Sequence, residues 1–292
     1  MLIKAMTKAK VKYATLCFFV ILLLPYLGHA GGGWPQPKGH GFFKLGFWWL
    51  RSDEYFAPNG EIIDISTAGI HTVSFYGEYG FTDRLTGIIY FPFFSRATLN
   101  EQVSASTREL LEEGDAVNSI GDTDITIKYG LLQNEPVVVS ASLTLGLPLG
   151  NEAGGDTRIL QTGDGEFNQM VTVEASRSFS SIGAYATVLI GFNNRTNNFS
   201  DEIRYGLEAG VTVKNFTLLG RLYGIESLEN GSDLEAPSNG VFSNNIEYTS
   251  FSPELIYTYK DKYGITASVG TAFSGRRVLA NPAYSFGVFV KL

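Results

Sequence analysis

Eleven charged residues of this sequence recur at alternate positions of segments whose intervening positions are apolar. Around Asp124, for example, Asp124 and Lys128 alternate with Ile125, Ile127 and Tyr129. Alternation with period two is the pattern of a β-strand that shows apolar side chains to one environment and polar side chains to another. The eleven residues are Lys44, Glu78, Arg96, Asp122, Asp124, Lys128, Glu174, Arg204, Glu208, Arg221 and Glu254.

These charged faces are compatible with two kinds of chemistry if the strands close around an interior. The charges can form a constriction that selects ions and small molecules. They can equally pair as salt bridges that fill a narrow interior and only stabilise it. Barrels of about eight strands are filled by side chains and barrels of about sixteen hold an aqueous channel, so the sequence leaves both alternatives open.

Catalytic chemistry has one candidate, a histidine close to a serine. Outer-membrane phospholipases use a Ser/His/Asn set, and Ser74 follows His71 by three positions, while His40 has no such neighbour. Residues three apart on a strand face opposite sides, so this pair cannot act together. We therefore expect a protein that is not an enzyme and that needs no cofactor.

The first thirty residues read as a signal peptide. Four lysines precede an apolar run over residues 13–26, and small residues at positions 28 and 30 favour cleavage after Ala30. An N-terminal membrane anchor is the alternative, but the run is shorter than the roughly 20 residues that a spanning helix needs. Cys17 would leave with the signal, which excludes disulfides and cysteine-based metal sites from residues 31–292.

The remaining chain is acidic, with 29 Asp and Glu in the whole sequence and none in the first thirty residues. Removing four of the 22 Lys and Arg gives a net charge of −11, which makes nucleic acid an unfavourable partner. No later segment is continuously apolar over the length of a spanning helix. Thirty-three glycines and alternating apolar and polar residues are instead typical of a membrane β-barrel.

Period-two alternation predicts an all-β fold, a transmembrane antiparallel up-and-down β-barrel of about twelve strands, with ten or fourteen as alternatives. A soluble β-sandwich or propeller is a further alternative. Pro92 predicts a bulge in the third strand, because proline cannot donate a ladder hydrogen bond. The predicted strands cover residues 42–49, 70–81, 85–97, 121–132, 137–149, 171–176, 182–193, 203–213, 216–227, 254–259, 264–273 and 284–292.

Short and long connections alternate between these strands, as periplasmic turns and extracellular loops do when both termini are periplasmic. The long connections cover 54–68, 98–118, 150–166, 194–202, 228–247 and 274–282, and they carry a net charge of −13. The charge indicates solvated loops, divalent-cation bridging to lipopolysaccharide, or a preference for cationic permeants. Outer-membrane lipid, lipopolysaccharide and the outer-membrane assembly machinery are the expected partners, the last because the chain ends in an apolar ladder over 284–292.

Two segments are candidates for closing such a barrel. Ser106, Thr107, Arg108 and Glu109 form a capping box that predicts a short helix through Leu111, ended by Gly114. This helix is either a lid over the mouth or a surface decoration. Residues 31–39 are too short for a substantial N-terminal hatch, so passive diffusion is the expected mode of any transport.

Several motifs, taken in order, resemble the outer-membrane barrel family labelled "MetA-pathway of phenol degradation". They are WPQPKG at 34–39, GFFKLG at 41–46, YGFTDR at 79–84, Gly121 and Asp122 before KYG at 128–130, GLPLG at 146–150 and TGDG at 162–165. The resemblance covers most of residues 31–292. It implies an outer-membrane transporter of small molecules, aromatic or hydrophobic compounds among them, and it brings no catalytic residues.

The leading functional hypothesis is therefore a passive outer-membrane channel for small molecules. The rival is a closed barrel that acts structurally or as a surface adhesin through its loops. The permeant is not specified by the sequence.

Overall fold

The computed structural model describes residues 32–232 and 240–292, which form an almost entirely β structure. Within these two ranges a single 3-10 turn is present, at Ser180–Ile182. The strands are β1 Gly41–Phe56, β2 Ile62–Gly80, β3 Leu85–Leu99, β4 Gln102–Val103, β5 Leu110–Glu112, β6 Asp115–Ser119, β7 Thr123–Leu132, β8 Val138–Leu147, β9 Asn168–Phe179, β10 Ala184–Asn194, β11 Glu202–Val213, β12 Phe216–Ser227, β13 Glu247–Tyr259, β14 Tyr263–Arg276, β15 Val278–Leu279 and β16 Ala283–Lys291.

Twelve of these strands close into an antiparallel barrel. They are β1, β2, β3, β7 to β14 and β16, and each of them pairs with the next of these twelve along the chain. The barrel closes where β1 pairs with β16, from Phe42 opposite Lys291 to Leu50 opposite Ala283. The short strands β6 and β15 extend the wall beside β3 and β1. The predicted fold and strand number are thus confirmed, and the alternatives of ten strands, fourteen strands or a soluble sandwich are wrong.

The alternation in the sequence explains why the sheet closes with one side apolar. Apolar side chains at alternate positions project from the outer face, where Ile127 is 57% and Ile190 61% exposed. Polar side chains at the intervening positions are buried inside, as Ser140 and Thr144 are on β8. A closed barrel satisfies the backbone hydrogen bonds of every strand, so an apolar outer belt can face lipid.

The strand boundaries differ from the predicted ones mainly at the end of the barrel that carries the long loops, where strands continue into segments predicted as loops. β2 begins at Ile62 instead of residue 70, and β13 begins at Glu247 instead of residue 254. The connections on the other side are short, as predicted, and the 3-10 turn at Ser180–Ile182 is one of them. Cross-strand pairing sustains these extensions although their residues no longer alternate cleanly.

Arg96 is on the outer face of β3, and its predicted inward orientation is wrong. The predicted bulge is present: two residues of β3 lie opposite one residue of β2 where the partners change from Val73–Phe94 to Phe75–Phe91. A bulge of one extra residue inverts the alternation beyond it. The buried residues are therefore Ser95 and Ala97, and Arg96 between them projects outward and donates to Asn118 Oδ1 at 2.8 Å.

The predicted helix from residue 106 to Leu111 is also wrong, because this segment forms the β4–β5 hairpin. The Ser104 backbone N–H donates to the Glu109 carbonyl at 2.8 Å, and Arg108 at the turn has a left-handed φ of 62°. Few residues lie between the capping box and Gly114, and so short a helix is marginal without a packed face. Residues 105–112 are exposed, so the hairpin decorates the surface.

No helix within residues 32–232 and 240–292 is long and apolar enough to cross a membrane. The predicted signal peptide, its cleavage after Ala30 and Cys17 lie outside the described residues.

Closure between β1 and β16 can be tested with cysteines. Phe47 lies directly opposite Phe286, so the pair Phe47→Cys with Phe286→Cys should form a disulfide under mild oxidation. The matched control, Phe47→Cys with Tyr284→Cys, is displaced by two residues and should cross-link much less. The yield is read from the mobility of the purified, folded barrel on a non-reducing gel. Equal yields from the two pairs would contradict the register.

Candidate functional site in the barrel lumen

A cavity of about 970 Å³ occupies the lumen. At the end that carries the short turns it is lined by His40 and Leu292. At the other end Gln161, Val241 and Phe242 line it, all from the long loops. The cavity therefore extends from one end of the barrel to the underside of its loops.

A chain of four charged side chains crosses one side of this cavity. Arg221 donates from Nη1 to Glu254 at 2.5 Å and from Nε to Glu208. Lys44 Nζ lies 3.3 Å from the other oxygen of Glu254. The Lys44 side chain passes over Gly287 of β16, where any Cβ would collide with it. The chain therefore joins β11, β12, β13 and β1 across the glycine.

A second group of charges lies on the opposite wall. Lys128 Nζ is 2.7 Å from Glu174 and donates to the carbonyl oxygen of Gly32 at 2.6 Å. Glu78 accepts from the Gln36 amide at 2.7 Å and from the Tyr76 hydroxyl. The carboxylates and cations of the lumen thus pair along the wall, and the space between the walls stays open as the cavity.

Aromatic and aliphatic side chains complete the cavity surface. The Phe42 ring lies 5.1 Å from that of Phe289 and 6.2 Å from that of Tyr76, measured between centroids. Trp48 and Ile256 extend this apolar surface along the lumen. The cavity is therefore amphipathic, with a ring-rich surface beside the charged chain.

The N-terminal segment Gly32 to Pro37 lies inside the lumen. The Gly33 N–H donates to Ser176 Oγ at 2.8 Å, and the Gln36 N–H donates to Thr86 Oγ1 at 2.8 Å. Between them the Trp34 ring meets Tyr185 edge to face at 6.1 Å. This short segment thus crosses the lumen from β9 and β10 to β2 and β3. Its length alone did not predict that it would lie inside the barrel.

The connection 148–167, called here the inner loop, folds into the barrel at the opposite end. Asp122 receives the backbone N–H of Gly150 at 2.9 Å and that of Asp164 at 2.8 Å. Leu160 is fully buried against Ala97 and Val117. The predicted lid, residues 98–118, is therefore not the segment that covers the lumen.

Arg195 fixes the inner loop to the barrel. Its guanidinium lies 3.1 Å from Asp164, 2.6 Å from Glu166 and 2.7 Å from Glu202, and it stacks over the Phe199 ring at 4.5 Å. The Arg195 side chain is only 5% exposed, which makes this a buried ion cluster. Alternation does not predict these four charged residues, because all of them lie in predicted loops, where period two gives no information.

The eleven predicted residues separate into three groups. One group lines the cavity: Lys44, Glu78, Lys128, Glu174, Glu208, Arg221 and Glu254. Another lies closer to the inner loop and outside the cavity wall, namely Asp122, Asp124 and Arg204, of which Arg204 pairs with Glu202 at 2.7 Å. Arg96 touches the edge of this cavity and also borders a second one, of about 660 Å³, beside β6.

Ser74 and His71 are separated by the sheet, as predicted. Ser74 lines the cavity, whereas His71 lies opposite Trp49 and Arg96 on the other face. They do not form a catalytic pair.

The fold is similar to that of solved outer-membrane proteins. The crystal structure of an outer membrane channel from Pseudomonas putida F1 superposes with a TM-score of 0.63 and 14% identity, covering 91% of this chain and all of that chain. Weaker likenesses are the KdgM porin, with TM-score 0.45, 8% identity and coverages of 85% and 98%, and the CymD monoaromatic hydrocarbon channel, with TM-score 0.39, 9% identity and coverages of 87% and 88%. No family model matches the sequence, and neither does any curated protein. The first likeness shows that the chain has an outer-membrane barrel fold.

Removal of Arg195 should release the inner loop. In Arg195→Gln the carboxylates of Asp164, Glu166 and Glu202 lose their shared cation, and breaking a buried ion pair costs about 3–5 kcal/mol. We expect faster proteolysis within 148–167 and a lower unfolding temperature. The exposed Arg108→Gln is the control and should behave as the parent protein. An intact inner loop in Arg195→Gln would refute the anchoring role.

Acid should loosen the same loop at a second anchor, Asp115. Hydrogen bonds from the Thr157 hydroxyl and from the backbone N–H groups of Thr157 and Asp156 lower the pKa of Asp115 to about 2. Because the pKa of Asp115 is lower in the folded protein, its carboxylate stabilises the fold fully at a pH above its pKa in the unfolded chain. This stabilisation is lost as the pH falls toward 2. The protection factor of amide exchange at residues 155–158, which removes the intrinsic pH dependence of exchange, should therefore fall below about pH 4. Asp115→Asn should show a low protection factor already at pH 7, and a protection factor in the parent that stays constant as the pH falls toward 2 would contradict this.

Proposed function

We propose that this protein is a passive channel of the outer membrane for small molecules. The observation that carries the proposal is the cavity of about 970 Å³, which extends through the lumen beside paired charges instead of being filled by them. The likeness in fold to an outer membrane channel is consistent with it. Outer-membrane lipid, lipopolysaccharide and the assembly machinery are the proposed partners of such a barrel.

The proposed permeants are small compounds with an aromatic or hydrophobic part. Phe42, Tyr76 and Phe289 form adjoining rings on the cavity surface, and aromatic rings bind one another by stacking and edge contacts. The charge chain from Lys44 to Glu208 lies beside these rings and offers polar contacts. The sequence resemblance to the phenol-degradation barrel family supports the same class of permeant.

A closed barrel without transport is the second candidate, and the placement of residues 32–37 favours it. This segment crosses the lumen, and the inner loop enters from the other end. An enzyme is less well supported, because Ser74 and His71 face opposite sides of the sheet.

Channel function is tested with purified, folded protein in planar bilayers and in liposomes. We expect stepwise conductance, and swelling of liposomes in phenols faster than in sugars of similar size. Conductance without any preference for phenols would retain the channel and reject the aromatic permeant. If the folded protein shows no conductance and no swelling, the channel is rejected and the closed barrel remains.

The segment 32–37 should limit permeation. The double variant Trp34→Ala, Gln36→Ala removes the contacts with Tyr185 and Glu78, so the segment should leave the lumen more often. We expect a larger mean conductance per channel in planar bilayers. Phe81→Ala, at an exposed site in the turn after β2, is the control and should leave conductance unchanged. Equal conductance in the double variant and the parent would show that the segment does not restrict the path.

A further inference from the structure

Three lysines cluster at the rim of the barrel that carries the short turns. Lys214 lies in the turn between β11 and β12, and Lys260 and Lys262 lie in the turn between β13 and β14. The two turns are adjacent, since Thr258, next to the last residue of β13, donates its N–H to the carbonyl of Asn215 in the first turn at 2.8 Å. All three lysines are exposed, and we call this group the lysine patch.

Aromatic rings surround the lysine patch on the outer surface. Tyr259 and Tyr263 are each about half exposed, and Phe216 is as well. Lys260 Nζ lies 5.3 Å from the centre of the Tyr259 ring, and Lys262 Nζ lies 5.8 Å from that of Tyr263. Tyrosines at this level of a barrel mark the boundary between lipid tails and headgroups. The ammonium groups are therefore held at headgroup height.

The charges of the lysine patch are not neutralised by the protein. In the described part of the chain, none of the three lysines has a carboxylate within the 4.0 Å of an ion pair. The cations of the lumen, in contrast, are paired, as Lys44 and Lys128 are. Asp261 stands between Lys260 and Lys262, which leaves a net charge of +2 on the patch. The long loops at the other end carry −13.

We propose that the lysine patch binds the headgroup of an anionic phospholipid in the periplasmic leaflet. Short turns face the periplasm in outer-membrane barrels, so the patch lies against that leaflet. Ammonium groups bind phosphate oxygens as point charges, and basic residues next to a membrane attract anionic lipid. The rings beside the lysines contact the glycerol and upper acyl region of the same lipid. The proposal depends on the barrel spanning a membrane and is independent of channel function.

Lipid binding is measured by native mass spectrometry of the full barrel, released from detergent with phosphatidylglycerol or phosphatidylcholine. We expect phosphatidylglycerol adducts to persist and phosphatidylcholine adducts to be lost. Lys260→Gln with Lys262→Gln should weaken phosphatidylglycerol binding about ten-fold or more, because each basic residue near the surface contributes roughly a five-fold factor. The control, Arg108→Gln with Arg158→Gln, removes the same charge from the other end and should bind as the parent does.

Further variants separate the alternative results. Lys260→Arg with Lys262→Arg keeps the charge and should retain binding. Equal binding by the glutamine variant and the parent would overturn the proposal, as would equal affinity for the two lipids. Displacement of phosphatidylglycerol by millimolar inorganic phosphate would show a general anion site and would also overturn it. If the glutamine variant does not fold, the test uses the parent protein alone. Its binding of phosphatidylglycerol must weaken when the salt concentration is raised from about 0.1 M to about 1 M, and binding that does not change with salt would overturn the proposal.

Discussion

The charged side chains that the alternation turns inward depend on partners inside the barrel. The outer face meets lipid and offers no hydrogen bonds, so a charge buried in the lumen depends on other strands. Glu254 shows how far this reaches: Arg221 and Lys44 approach it from two different strands. Such pairs also connect strands that the backbone ladder does not join directly, as Lys44 of β1 and Glu254 of β13 are connected. Gly287 leaves room for the same pair, because a Cβ at this position would collide with the Lys44 side chain on its way to Glu254.

The same requirement brings the loops and the N-terminal segment into the barrel. The carboxylates of Glu166 and Glu202 are buried at the end that carries the long loops, and Arg195 compensates both of them. Among the described residues no cation forms an ion pair with Asp122, which accepts from two backbone N–H groups of the inner loop instead. Lys128 in turn donates to the carbonyl oxygen of Gly32. The inner loop and the segment 32–37 are thus part of the polar interior, which explains why they are ordered there.

The sequence predicts what depends on short-range pattern. Ile125, Ile127 and Tyr129 alternate with charged and polar residues, and β7 follows from that alone. Alternation alone places Arg96 on the wrong face, because Pro92 predicts a bulge and the bulge inverts the faces of the later residues of β3. The hairpin at Ser104 was missed because a capping box describes only the first turn of a helix and not what the helix would pack against.

Features that depend on distant partners were beyond prediction. Arg195 lies in a predicted loop, and only the fold brings it to Asp164 and Glu166, about 30 residues earlier in the chain. Leu160 is fully buried in a connection that composition would place in solvent. Alternation identifies which residues enter the lumen from a strand, but it has no signal for a loop that enters from above. The residues of the cavity wall could therefore be predicted in large part. The two segments that enter the lumen, the inner loop and residues 32–37, could not.

The unequal length of the strands gives the barrel a high side and a low side. β2 has 19 residues and β8 has 10, and the surplus of β2 lies at its loop end. At about 3.4 Å per residue the difference amounts to roughly 30 Å measured along the strand. A solute that arrives from the direction of β2 meets a wall of paired strands, whereas one that arrives from the direction of β8 meets only the inner loop. The mouth is therefore walled unequally around the barrel axis, higher beside β2 than beside β8.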